Sequence, residues 1–272
     1  MDARKGLYRL KLEKIINLKH KNQIVKIDAG ELVGYNVNGH EFIHQKGSPG
    51  WSSSDTEMFP IIGPVSESRF QVETPRGNAI QDQHGHLRQM EYNLVSSDTI
   101  SAIYNKVYEA GTPIKNSKFP KKSTEEWMNW PYSFEFEKSF KLDDDGLEIQ
   151  FVISGDKEMP FMLGYHPAFK LYTDKPTVDT GSKQISLLEV LAVGSRALQV
   201  SDCESITLKD EKELTIKTEG FGHFMCWTEV ANMVCIEPIS FYPYAVSQEN
   251  LHAGFQLLED KVSFKVFLLP KM

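Results

Sequence analysis

Apolar and polar residues alternate with a period of two along much of the chain, the spacing that sends successive side chains to opposite faces of a pleated strand. Phe134, Phe136, Phe140 and Leu142 fall on one face of such a segment, and Glu135, Glu137, Ser139 and Lys141 fall on the other. Leu147, Ile149, Phe151 and Ile153 resume the pattern after Asp143-Asp144-Asp145-Gly146, so the two segments read as a hairpin. Val262, Phe264, Val266 and Leu268 predict a further strand, as do Ile206/Leu208 and Leu214/Ile216 around Lys209-Asp210-Glu211-Lys212. Tyr8, Leu10 and Leu12, alternating with Arg9, Lys11 and Glu13, suit one more near the N-terminus. Helix signals are sparse. The one selected lies over residues 123–129, where Ser123 and Glu126 have capping-box spacing ahead of Pro131.

No repeat, low-complexity tract or long Gly/Ser/Pro linker divides the 272 residues. The expectation is one all-β domain over 1–272, a large sandwich of antiparallel sheets. Composition supports a packed fold, with 40% hydrophobic, 11% aromatic and 25% charged residues. The net charge of −7, with no dense basic cluster, argues against a nucleic-acid partner. No run approaches the roughly 18 apolar residues that span a bilayer, and Met-Asp-Ala-Arg-Lys-Gly has no apolar segment behind it. A cytoplasmic protein without membrane contact is expected. Cys203, Cys226 and Cys235 lack CxxC spacing and an even count, and read as buried reduced thiols. Oligomeric state is not legible.

Candidate chemistry concentrates in three places. His20, His40, His44, His223 and His252 sit singly among polar residues and read as solvated or structural. Gln83-His84-Gly85-His86-Leu87-Arg88 is denser, with two imidazoles and a guanidinium around a glycine. As a strand it would carry His84, His86 and Arg88 on one face; as a polar turn it would carry nothing. Gly164-Tyr165-His166-Pro167-Ala168-Phe169 buries a histidine among apolar residues, either as a core histidine bonded to backbone or as a functional one. Met233-Val234-Cys235-Ile236-Glu237-Pro238 places a carboxylate at the end of an apolar strand, costly unless paired or used. Phe241, Tyr242 and Tyr244 follow, rings that could stack on a sugar or fill a core. A carboxylate and histidines suit proton transfer, since an unperturbed Glu is ionised at neutral pH and an unperturbed His titrates near 6.5.

These residues resemble the aldose 1-epimerase, or galactose mutarotase-like, family and its bacterial mutarotase-like branch. Four blocks match in order across residues 58–238: Met58-Phe59-Pro60-Ile61-Ile62-Gly63, His84-Gly85-x-x-Arg88, Gly164-Tyr165-His166-Pro167-x-Phe169 and Cys235-Ile236-Glu237-Pro238. The resemblance implies a galactose mutarotase-like supersandwich that interconverts the α and β anomers of a free aldose, with a small sugar as partner and no cofactor or metal. It implies His166 as the acid at the ring oxygen and Glu237 as the base at the anomeric hydroxyl. His84 would hold the ring oxygen or a neighbouring hydroxyl, and Arg88 would bind sugar oxygens. His86 replaces an aromatic of the family, Tyr92 stands where relatives often carry Trp, and Trp51 would wall the sugar. Pro64 replaces an arginine that helps hold phosphate in the sugar-phosphate branch, which favours an unphosphorylated substrate unless Arg69 or Arg76 substitutes.

Two rivals stay open. His84-x-His86-x4-Glu91 has the ligand spacing of a cupin metal site, although the glycine and second motif of a cupin are missing. A non-catalytic sugar-binding protein or sensor could also keep the same cleft.

Overall fold

The computed structural model describes residues 15–272. The period-two segments become the middle of a nine-stranded antiparallel sheet. In spatial order its strands are Gln184–Ser186, Thr177–Asp179, Ser205–Lys209, Glu213–Glu219, Lys261–Lys271, Leu147–Gly155, Phe134–Leu142, Ser101–Tyr108 and Asn93–Ser97. The predicted hairpin forms with Leu142 opposite Leu147 and Phe134 opposite Gly155. Asp143 Oδ1 closes its turn by accepting from the Asp145 and Gly146 amides. The alternating residues behave as their spacing dictates, with Phe134, Phe136, Phe140 and Leu142 all buried. Lys138 shares their face and is wholly enclosed. The expected strand at Tyr8 to Leu12 lies outside the described residues.

A second antiparallel sheet packs against the first. It contains Leu198–Val200, His223–Trp227, Met233–Ile239, Gly164–Tyr165 and Glu57–Met58, with Ala168–Lys170 also paired to Met233–Ile239. Contacts such as Phe151 with Tyr165 and Phe59 with Phe134 join the two layers, so the core is a sandwich interior. A four-stranded meander, Ile15–His20, Gln23–Asp28, Glu31–Val37 and His40–Glu41, accompanies them.

Between the layers lies a buried charge cluster. Lys138 Nζ donates to Asp55 Oδ2 and Glu57 Oε1, both at 2.6 Å, and Tyr165 Oη donates to Asp55 Oδ2 at 2.7 Å. Burial opposes the lysine's charge, but the two carboxylates outweigh it and raise its pKa. Nearby Lys106 donates to the Leu87 carbonyl at 2.9 Å, and burial brings it down to about 8. The cluster ties the strand of Phe134–Leu142 to the segment beside Tyr165, one residue from His166.

The helix expected over 123–129 does not form. Ser123 Oγ instead accepts from the Asn116 side chain at 3.0 Å, and Trp127–Met128 pairs with Ile114–Lys115. The same Ser-x-x-Glu signature succeeds at Ser186 and Glu189, which cap a helix over Leu187–Val193 through a reciprocal capping box. What separates them is the next stretch: Leu187-Leu188-Glu189-Val190-Leu191 can wind and bury an apolar stripe, whereas Trp127-Met128-Asn129-Trp130 runs into Pro131. Among the described residues no helix is long and apolar enough to cross a membrane. Cys226 and Cys235 are buried as expected, but Cys203 is partly exposed, its thiol donating to the Ser205 carbonyl.

Candidate active site

A cleft of about 470 Å³ opens along the smaller sheet. His166 and Glu237 meet in it because of strand register. Gly164 pairs with Ile239 and Ala168 with Cys235, so the same antiparallel register sets His166 opposite Glu237. Ladder bonding lapses at His166-Pro167, where proline has no N–H to give. The His166 amide donates instead to the Thr56 carbonyl at 2.8 Å on the other side. His166 Nε2 then lies 3.4 Å from Glu237 Oε1. The strand expected to stop before Pro238 runs through it to Ile239, every residue buried, so Glu237 is interior rather than terminal.

That burial corrects the expectation of a ready carboxylate base. Among the described residues no lysine or arginine neutralises Glu237, and burial pushes its carboxyl well above the usual range. Burial, and after it the Arg88 guanidinium, holds the His166 imidazole down to about 3. Burial thus disfavours the charged form of both partners, raising the carboxyl and lowering the imidazole.

The His84 block is a turn followed by a single 3-10 turn over Leu87–Gln89, not a strand. His84 sits at φ 75° and Gly85 at φ 67°, and a Cβ on Gly85 would lie 2.1 Å from the Phe59 carbonyl oxygen. Asp82 fastens the turn: its carboxylate accepts from Lys118 Nζ at 2.7 Å and Asn116 Nδ2 at 2.8 Å, and its carbonyl from the Gly85 amide at 2.8 Å. His84 and Arg88 face the cleft. His84 Nδ1 lies 3.1 Å from the Ile62 carbonyl, which can only accept, so Nδ1 carries the proton and Nε2 keeps a lone pair. Burial, then His166, Arg88 and Lys118, keeps this imidazole neutral. The His84 and His166 rings meet edge to face, centroids 5.4 Å apart. Arg88 has no hydrogen-bond acceptor among the described residues.

His86 and Tyr92 depart from expectation, since neither reaches the cleft. The turn, unlike a strand, points His86 into the core, fully buried against Tyr108 with Nδ1 accepting from Gln81 Nε2 at 2.8 Å. Glu91 is exposed, so the cupin-like set His84, His86 and Glu91 is not brought together. Tyr92 packs over Gly30, with Lys106 Nζ 3.9 Å above its ring. Arg76 is engaged by Asp156 and the Pro131 carbonyl, and neither it nor Arg69 lines the cleft.

Trp51 does line the cleft, its ring 5.4 Å from that of His166 and 6.5 Å from that of Trp227. Tyr244 lines the cleft as well, whereas Phe241 packs on Gly254. Trp227, Thr56, Lys122 and Glu229 are lining residues that the sequence did not single out. Trp227 was detectable in principle, two positions beyond buried Met225 in a short apolar run, but nothing local marks the other three.

A family model described as aldose 1-epimerase matches residues 69–233. No curated protein sequence matches significantly. Among solved structures, the fold is similar to a galactose mutarotase-like protein from Lactobacillus casei ATCC 334, with a TM-score of 0.77 and 16% identity over 94% of this chain and 100% of that one. It is also similar to a galactose mutarotase related enzyme from Lactobacillus acidophilus (0.72, 17%, 93% and 97%). A galactose mutarotase-like protein from Clostridium acetobutylicum gives 0.67 and 14%, covering 94% and 95%.

Proposed function

Because the chain belongs to the aldose 1-epimerase family, we propose that it interconverts the α and β anomers of a free aldose, using His166 and Glu237 as its proton-transfer pair. The observation carrying this reading is the 3.4 Å approach of the two side chains in the cleft. A proton passed from the Glu237 carboxyl to His166 Nε2 in this reading yields an imidazolium acid and a carboxylate base. Sugar hydroxyls entering the cleft favour that charged form by solvating it.

His166 then protonates the ring oxygen as the C1–O5 bond breaks, and Glu237 removes the proton from the anomeric hydroxyl. Rotation about C1–C2 and the reverse transfers close either anomer, so each group acts as both acid and base in one turnover. His84, with its lone pair at Nε2, can accept from a sugar hydroxyl; it cannot hold the ring oxygen, which has no proton to give. Arg88 supplies donors to sugar oxygens, and Trp51 and Trp227 offer apolar faces to the C–H side of the ring. With Pro64 in place of arginine and Arg76 tied to Asp156, an unphosphorylated aldose is the substrate class favoured.

Polarimetry tests the reading. Fresh α-D-glucose and α-D-galactose should reach their usual final rotations faster with the EDTA-treated protein than in buffer. If these sugars, xylose and arabinose all relax at the buffer rate while still binding, the cleft is that of a sugar-binding protein.

A further inference from the structure

Cys235 stands two residues before Glu237 on the same strand, so its side chain points to the same face. His166 and Glu237 offer a nitrogen and an oxygen, and one donor atom from each of the three residues lies within 4.8 Å of the others. Nothing in the proton-transfer chemistry uses the thiol. It is enclosed by Ala168, Met233 and the partly buried Trp51, Trp227 and Val230.

Zinc is held at about 2.0–2.1 Å from nitrogen, 2.0–2.2 Å from carboxylate oxygen and 2.3 Å from sulfur, commonly in a tetrahedron. At tetrahedral angles those bonds set the N···O separation near ~3.4 Å and N···S near ~3.6 Å. His166 Nε2 and Glu237 Oε1 already stand 3.4 Å apart. The sulfur completes three of four positions after a shift on the order of 1 Å. His166 and Glu237 both line the cleft, which gives the cluster its route to solvent.

We propose that His166, Cys235 and Glu237 form a binding site for a thiophilic divalent cation of the zinc class, and that the ion inhibits by occupying the proton-transfer pair. The ion enters as the dication and binds Cys235 as thiolate and Glu237 as carboxylate, any proton that either carries passing to solvent, while His166 binds through the Nε2 lone pair. No electrons are exchanged. A site with one sulfur, one nitrogen and one oxygen selects zinc, cobalt(II) or cadmium over magnesium or calcium, which prefer oxygen alone. Inhibition presupposes the epimerase reading, whereas binding of the ion does not.

Cobalt(II) chloride titrated into metal-free, reduced protein is the deciding experiment. A thiolate-to-cobalt charge-transfer band in the near ultraviolet should grow to saturation at one equivalent, persist in Cys203→Ser and vanish in Cys235→Ala. His166→Asn should weaken cobalt binding by more than the roughly 10–100-fold that even outer partners of a metal site cost. Zinc-edge X-ray absorption on the wild-type protein needs no variant and should count one sulfur in the shell. If turnover is present, zinc should abolish it reversibly with EDTA, and Cys235→Ala should turn over equally with and without zinc. A missing band, a band that survives Cys235→Ala, or a sulfur-free shell overturns the site. A sound band without any sugar turnover leaves the site standing and removes the epimerase reading instead.

Discussion

Glu237 faces His166 across 3.4 Å, and among the described residues no lysine or arginine stands in contact with its carboxylate. Such an arrangement suits a group that must exchange a proton, and it places the two side chains under a joint requirement. Glu237→Gln should lower kcat by about 10²–10⁴-fold, the usual contribution of a positioned acid or base. His166→Asn should do the same, and the double variant should cost little more than either single one, because the pair acts as a unit. Mutarotation rates of the three variants on one sugar check this; fully additive losses would separate the two roles.

The same carboxyl carries a stability cost. With its folded pKa raised by burial, native Glu237 holds a proton above pH 4.5 that the unfolded chain has released, so stability falls as pH rises from there. Glutamine removes that penalty. Glu237→Gln should therefore match the wild type in thermal stability near pH 4.5 and exceed it at pH 8. Melting curves at the two pH values decide it, and an offset independent of pH would contradict the assignment.

Buried histidines pull the opposite way. His86 and His166 are both held down to about 3, so between there and 6.5 the unfolded chain binds protons that the native state refuses. Each should remove about 1.4 kcal/mol of stability per pH unit as pH falls below 6.5. His86→Gln, at a position that does not line the cleft, should flatten this acid limb without changing KM. Denaturant titrations from pH 7 to pH 4 read the slope directly.

Lys138 holds two buried carboxylates together between the layers. Lys138→Met leaves Asp55 and Glu57 buried without their cation and should cost about 3–5 kcal/mol. Adding Asp55→Asn and Glu57→Gln should recover much of it, since the loss comes from stranded charge. Urea unfolding of the single and triple variants measures the recovery; none at all would mean that the ammonium acts by filling space.

Gly85→Ala sets a Cβ against the Phe59 carbonyl at a positive φ. It should cost at least about 1–3 kcal/mol, lowering Tm by roughly 2–4 °C per kcal/mol. Because His84 precedes it, KM for sugar should rise as well. An unchanged Tm would show that the turn can open without loss.

The sandwich was readable because its central strands keep strict alternation; Phe134 to Leu142 and Leu147 to Ile153 could form little else. Lys138 interrupts that alternation, and its place on the apolar face becomes intelligible only through Asp55 and Glu57, some eighty residues away. His166 and Glu237 were visible as polar residues in apolar runs, a local contrast that burial explains. His86 falls on the core side because a turn with two positive φ values, at His84 and Gly85, takes the place of a period-two strand. The helix signature at Ser123 failed for a similar reason, its hydroxyl being claimed by Asn116, a partner that sequence spacing does not reveal.

The pairing of Gly164 with Ile239 and Ala168 with Cys235 has a consequence for how this chain tolerates change. Deleting one residue between 164 and 168 would break the register that sets His166 opposite Glu237 and would displace Tyr165 from its place between the layers. Both the site and the packing between the layers thus depend on alignment along that ladder. Length variation can accumulate in exposed connections such as residues 201–204, but each insertion or deletion here is read out at the chemistry.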